Sequence, residues 1–144
     1  MYQLTIYTNF NFTVVFKNVF TLIYLYKIST MIDRKKFNEN FQYFDKEIII
    51  EIIDIFFSEY DERFEKLSKN VKEQDFVQLK FNAHSLKGVV ANFMDPVTID
   101  LSRRLDEAAK NKETAGLDIL YQDLVENTAK LLEELKVIRK ELTS

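Results

Sequence analysis

The sequence predicts an all-α fold, an antiparallel four-helix bundle with a short leading helix. The 144 residues include only two glycines and one proline, too few for the many turns of a sandwich, a barrel or an α/β domain. From Met31 onward, apolar residues recur every three or four positions over long stretches, as on one face of an amphipathic helix. A chain of this length is expected to form a single domain with a proper core.

Five helices are expected after residue 30, each bounded by a capping or breaking residue. Asp33 and Asp45 are expected to cap the first two helices, and Asp95-Pro96 has the pattern of a cap followed by proline at the first helical position. Gly116 falls in the last break. The expected ranges are about 33–41, 45–70, 74–93 and 96–112, with a final helix from about 117. Short connections favour antiparallel neighbours.

The composition excludes several classes of function. The chain has no cysteine and one histidine, which leaves no disulfide and no ordinary zinc site. Lys17 and Lys27 are the only charged residues before Met31, so residues 31–144 carry 18 basic and 23 acidic side chains. A mildly acidic domain is a poor candidate for binding nucleic acid. We therefore expect no cofactor, no metal held by the chain, and no nucleic-acid partner.

The first thirty residues differ from the rest of the chain and leave three interpretations open. They are rich in aromatic and β-branched residues and lack acidic residues and a helical period. A membrane anchor needs about twenty consecutive apolar residues, whereas the longest stretch, Val19–Tyr26, already includes Thr21. The segment is a start-site artefact with translation beginning at Met31, a membrane-associated tail, or an added strand or helix. We expect a cytoplasmic monomer, bound to a membrane only if residues 1–30 anchor it.

The third helix is expected to carry two stripes of residues on different faces. Advancing about 100° per residue groups six apolar residues into a core seam: Phe76, Leu79, Ala83, Leu86, Val90 and Phe93. A second group lies about 120° away from that seam on the same wheel and contains His84, Lys87, Gly88 and Ala91. Val77 and Phe81 fall on the exposed flank of this second face. The pattern predicts a histidine on the bundle surface, beside a lysine, a bare backbone position and some apolar surface.

A lone surface histidine or lysine is usually only solvated, and scattered apolar surface residues are common. Gly88 is harder to explain in that way. Glycine inside a helix costs about 1 kcal/mol relative to alanine. Its place, four residues after the only histidine, indicates close approach by another molecule.

These residues carry a resemblance to a known family. Ala83-His84-Ser85-Leu86-Lys87-Gly88 resembles the phosphohistidine motif, H-x-x-K-G, of histidine-containing phosphotransfer (HPt) domains. The segment 101–109, LSRRLDEAA, resembles the helix that follows the motif, and the likeness covers about residues 33–142. The chain departs from the pattern at Met94 and Asp95, where many members have a second glycine, often followed by alanine. That departure bears on the helix end and on the fit of a partner.

The resemblance implies a phosphorelay intermediate that is a covalent carrier rather than an enzyme. His84 would accept a phosphoryl group from a receiver-domain aspartate and pass it to another receiver. Lys87 would offset the charge of the phosphoryl oxygens, and Gly88 would leave room for the partner. The expected partners are response-regulator receivers and hybrid histidine kinases, with any Mg²⁺ held by the receiver. The chain has no glycine-rich phosphate loop for ATP.

The helical wheel nominates Val77, Phe81 and Ala91 as the apolar docking residues. An alternative function is a non-catalytic helical module that binds receivers or kinases without accepting phosphate.

Overall fold

Five α-helices and no β-strand occur in the computed structural model, which describes residues 31–144. The helices are α1 (Arg34–Asn40), α2 (Lys46–Glu73), α3 (Phe76–Ala91), α4 (Pro96–Asn111) and α5 (Leu117–Thr143). The predicted all-α class with a short leading helix is confirmed. The interpretations given above for residues 1–30 lie outside the described residues.

Two of the predicted helix starts are fixed by aspartate caps. The Asp33 carboxylate accepts a hydrogen bond of 3.1 Å from the backbone N–H of Lys36 at the start of α1. At the start of α4, Asp95 accepts one of 3.0 Å from the backbone N–H of Val97, and Pro96 is the first helical residue. Such caps satisfy backbone donors that have no partner inside the helix.

The boundary between α2 and α3 differs from the prediction, which placed it between residues 70 and 74. Helix α2 continues to Glu73, and Gln74 ends it with a φ of 53°, in the left-handed region. Asp75 then caps α3 by accepting a hydrogen bond from the backbone N–H of Gln78. One left-handed residue and one cap are enough to separate two helices, and apolar periodicity does not register either of them.

The connection after α3 explains how the chain accommodates its departure from the family pattern. Helix α3 ends at Ala91, and Met94 adopts a φ of 57°, a left-handed conformation that costs a residue with a side chain roughly 1–2 kcal/mol. Glycine, common at this position in the resembled family, avoids that cost. The Met94 carbonyl accepts a hydrogen bond from the Asp33 N–H at 2.9 Å. Asp95 is fully buried and caps α4.

The four long helices form a closed ring in which α2 packs against α3 and α5, and α4 packs against α3 and α5. Five of the six residues of the predicted α3 seam are fully buried, and Phe76 is partly buried against the same core. The ring centroids of Phe56 on α2 and Phe93 after α3 lie 5.1 Å apart. Within residues 31–144, no helix combines the length and apolarity that crossing a membrane requires. The buried seam fixes the rotation of α3 and therefore the face that it exposes.

Candidate functional site

His84 projects from the outer face of α3, as the wheel predicts. Its side chain is 71 % exposed, while Ala83 beside it and Leu86 two residues on are fully buried. The imidazole is therefore held on a helix whose opposite side is anchored in the core. Another protein can reach the ring without any opening of the bundle.

The neighbouring helix α4 supplies a carboxylate to this histidine. The Nδ1 atom of His84 lies 3.3 Å from Oδ2 of Asp106, and the Asp106 side chain is only 13 % exposed. An ionised carboxylate can only accept hydrogen bonds, so this contact requires the proton on Nδ1. In the neutral ring, the lone pair is then on Nε2. The contact both orients the ring and selects the nitrogen that can act as a nucleophile.

Lys87 shares the same carboxylate oxygen. Its ammonium group donates a short hydrogen bond to Oδ2 of Asp106, one helical turn along α3 from His84. Partial burial by itself would raise the pKa of Asp106, but the hydrogen bonds from Lys87 and His84, together with the charge of Lys87, outweigh it and hold the pKa below its ordinary value. Asp106 is therefore an anion that positions both neighbours.

Gly88 completes the exposed face without serving the fold. A Cβ atom added at this position would meet no heavy atom within 4 Å. The space above the backbone is open, so packing inside the described domain does not demand a glycine here. The observation agrees with the sequence argument that the missing side chain serves an approaching molecule.

The apolar residues nominated for docking lie on or beside the same face. Val77 and Phe81 are 74 % and 71 % exposed, and Ala91, the last residue of α3, is half-buried. Phe81 borders a shallow groove between α2 and α3. The groove is lined by Glu59, Glu62, Arg63, Lys66, Phe81, Asn82 and Ser85. The structure thus places all the sequence-derived candidates on one side of α3, while their part in docking stays a prediction.

Two contacts of the site have no counterpart in the sequence analysis. Asp106 belongs to the segment 101–109 that resembles the family, yet its own sequence neighbours do not indicate its contact with His84, 22 residues away. Arg63 of α2 donates a hydrogen bond of 3.0 Å to the hydroxyl of Ser85 and is held by Glu59. The sequence gives one clue to Asp106: it follows the buried Leu105 and therefore lies at the border of the core. Which helix it faces depends on how the bundle closes.

Within residues 31–144, no group of three or more His, Cys, Asp or Glu side chains is arranged to hold a metal ion. The ionisable groups of the site are the imidazole, one ammonium and one carboxylate. Together they can support nucleophilic attack by Nε2 on an electrophile presented by a second molecule.

Comparison with known proteins places this chain in a family. A family model described as the Hpt domain matches residues 51–141, which include His84, Lys87, Gly88 and Asp106. No curated protein matches the sequence at a significant level. The fold is similar to the crystal structure of histidine-containing phosphotransfer protein B from Pseudomonas aeruginosa PAO1. The TM-score is 0.71 at 20 % sequence identity, covering 78 % of this chain and 97 % of that chain.

At that level of identity the solved structure supports the fold, and the family model, which matches more than half of the chain, carries the assignment. Hpt domains are phosphotransfer carriers of two-component phosphorelays, distinct from kinases, and they interact with receiver domains and histidine kinases. By fold and family match together, this chain belongs to the Hpt domain family.

Proposed function

We propose that this protein accepts a phosphoryl group on Nε2 of His84 from the phosphorylated aspartate of one receiver domain and passes it to the aspartate of another. The observation that carries the proposal is the contact between Nδ1 of His84 and Asp106 on a ring that is 71 % exposed. A ring that was merely solvated would need no such orientation. A ring that served only packing would not project into solvent.

The transfer step follows from the position of the proton. The Nε2 lone pair attacks phosphorus, a P–N bond forms, and the P–O bond to the donor aspartate breaks as the carboxylate leaves. The Nδ1 proton stays on the ring and in contact with Asp106, which stabilises the positive charge that develops on the imidazole. Donation to the next receiver is the reverse step, with its aspartate as the nucleophile. The chain thus supplies a nucleophile and its orientation.

Lys87 is the group of this chain that can neutralise the incoming charge. In the unphosphorylated protein its ammonium contacts Asp106, so it is already held next to the ring. A compact ammonium on a flexible stem can turn from the carboxylate to a phosphoryl oxygen without moving the backbone. Gly88 lets the partner's backbone approach the ring. The proposal assigns any Mg²⁺ and all ATP chemistry to the partner proteins.

A transfer assay with a radiolabelled phosphorylated receiver tests this function. We expect acid-labile, base-stable label on the wild type and none on His84→Gln, because the only nucleophilic ring has been removed. A matched control is the double variant His84→Gln/Gln78→His, which keeps one exposed histidine on α3 but without Asp106, Lys87 and Gly88 around it. It should also remain unlabelled.

The same experiment separates the carrier from the non-catalytic module. Binding of the receiver should be measured in parallel for the wild type and His84→Gln. Binding by both proteins with label on neither would favour a module that recognises receivers without accepting phosphate. Label on the control with the displaced histidine would show that the surroundings of His84 are unnecessary.

A further inference from the structure

Two exposed lysines, Lys80 and Lys110, lie on the helices that flank His84 and Asp106. Helix α3 contains Lys80, His84 and Lys87 and no acidic residue, and Lys110 lies near the end of α4. Lys80 and Lys110 are both exposed. Among residues 31–144, neither ammonium has a carboxylate within 4.0 Å, whereas Lys87 is paired with Asp106. Exposed lysines are ordinary on a protein surface, and what distinguishes Lys80 and Lys110 is their position relative to His84.

The helix geometry places these two lysines opposite each other at one end of the site. His84 faces Asp106 across the α3–α4 contact. The two helices run antiparallel, so a residue four positions before His84 lies across from one four positions after Asp106. Those residues are Lys80 and Lys110. Each is about 6 Å along its helix from the central pair, by the helical rise.

Lys87 lies at the other end of the site, on the same side of α3 as Lys80. It is seven residues after Lys80 on α3, a spacing that returns to nearly the same side of a helix. We call Lys80, Lys87 and Lys110 the lysine ridge. The ridge borders the exposed imidazole on its α4 side, opposite the groove that contains Phe81.

Acidic residues that lie near the ridge lysines in sequence make contacts with other groups. Asp75 caps α3 through the backbone N–H of Gln78. Glu113 accepts a hydrogen bond from the Asn111 amide, and Glu107 pairs with Arg103. Asp75 and Glu113 keep their negative charge, because a hydrogen bond from a neutral N–H group does not cancel it. Lys80 and Lys110 are nevertheless cations without a salt-bridge partner among residues 31–144, which carry 18 basic and 23 acidic side chains in total. Two such cations beside one exposed imidazole add a local attraction for an anionic partner.

We propose that Lys80 and Lys110 steer the acidic rim of a receiver's phosphoaspartate site onto His84. The inference rests on the proposed phosphotransfer function and deepens it by naming the charge that the partner presents. An aspartyl phosphate and the carboxylates that hold Mg²⁺ make such a rim acidic. Opposite charges accelerate diffusional encounter and orient the partners, and salt screens the effect. Lys80 and Lys110 act on docking, whereas Lys87 acts on the phosphoryl group.

The test measures phosphotransfer from a radiolabelled phosphorylated receiver at several salt concentrations. For Lys80→Gln/Lys110→Gln, we expect the second-order transfer rate to fall roughly three- to tenfold at low ionic strength, at or below the lower end of electrostatic steering effects because only two charges are removed. The rates of variant and wild type should converge at high salt. The first-order rate inside the saturated complex should stay unchanged. Lys80→Glu/Lys110→Glu should lower the second-order rate further.

A matched control removes the same total charge elsewhere. Lys130→Gln/Lys140→Gln changes two exposed lysines of α5, which lies diagonally across the described bundle from α3. Its transfer rate should stay near that of the wild type. An equal loss in this control would overturn the inference, because net charge rather than the ridge would then set the rate.

Further outcomes distinguish a failure of the steering role from a failure of the proposed phosphotransfer function. A wild type whose transfer rate does not depend on salt, or a Lys80→Gln/Lys110→Gln variant as fast as wild type, removes the steering role while the carrier function stands. A fall confined to the first-order rate in the saturated complex also removes it, because the lysines would then act after docking. A wild type that takes no label removes both proposals.

Discussion

The two faces of α3 differ in how strongly packing restricts their residues. On the inner face Leu79, Ala83, Leu86 and Val90 are fully buried, and shape and volume determine which residue is acceptable. On the outer face His84 is exposed and Gly88 has open space above it. Packing therefore does not restrict the residue at either position. The lesson is that the inner face orients the helix, while the outer face presents the residues that we propose for phosphotransfer. Substitutions on the two faces should therefore separate stability from transfer.

The largest expected effect is on the inner face. Leu86→Ala should lower the free energy of unfolding by about 2–5 kcal/mol, because it removes buried methyl groups and leaves a cavity. Urea unfolding measures this. His84→Gln, two residues away, should change stability by less than about 0.5 kcal/mol. Equal losses in the two variants would break the distinction between the faces.

The next effect concerns Asp106, which links the two helices at the site. Asp106→Ala removes the acceptor for Nδ1 and should slow phosphotransfer roughly 10- to 100-fold, a loss typical of removing groups that orient a functional histidine. Asp106→Asn keeps an acceptor oxygen and should be less impaired. Glu107→Ala, which changes the next residue of α4, should transfer normally. Full activity of Asp106→Ala would show that the carboxylate is not needed for orientation.

Substitution of Gly88 by alanine is expected to stabilise the protein, in contrast to Leu86→Ala. Gly88→Ala should raise the free energy of unfolding by about 0.5–1 kcal/mol, since alanine favours the helix and the added Cβ meets nothing. Gly88→Leu should slow transfer because its side chain occupies the approach to the ring. Gly116, with a φ of 71°, is the matched contrast, because alanine there should destabilise the protein. Unchanged transfer by Gly88→Leu would contradict close approach at this position.

The smallest effect is a pH dependence of stability from Asp106. Partial burial would raise its pKa, but the hydrogen bonds from Lys87 and His84 outweigh burial and lower the pKa from its ordinary value. A depressed carboxyl pKa stabilises the fold fully above the unfolded pKa, and this contribution is lost as the pH falls through the folded pKa. The stability difference between wild type and Asp106→Asn should therefore shrink below about pH 4, the ordinary pKa of an aspartate, as measured by urea unfolding.

Asp95 provides the contrast of opposite sign. Burial raises its pKa, despite the opposing hydrogen bonds from Thr98 and the backbone of Val97. Its contribution is therefore greatest at low pH and is lost as the pH rises through the raised pKa. The pH profile of Asp95→Asn relative to wild type should run the opposite way to that of Asp106→Asn. Parallel profiles for both variants would contradict the assigned environments.

The fold and the outward direction of His84 could be predicted because both follow from local periodicity. The α3 seam repeats every three or four residues, and it fixes which side of the helix remains outside. The break before Pro96 could also be predicted, because Asp95-Pro96 marks it locally. The boundary at Gln74 was misplaced, because it depends on a single left-handed residue that is not glycine.

Asp106 could not be assigned from the sequence for a different reason. Its contact with His84 joins two helices across 22 positions, and it depends on the rotation and the register of both. Hydrophobic periodicity constrains the rotation of each helix but leaves the register open. The lysine ridge could not be predicted for the same reason. Lys80 and Lys110 become neighbours of one site only when α3 and α4 pack against each other.

The most direct measurement is to locate the phosphoryl group after transfer from a phosphorylated receiver, by phosphorus and nitrogen NMR of the labelled protein. The structure predicts one phosphoryl group on Nε2 of His84, with Nδ1 still protonated beside Asp106. A phosphoryl group on Nδ1, or on any other residue, would contradict the central claim that this carboxylate selects the reacting nitrogen.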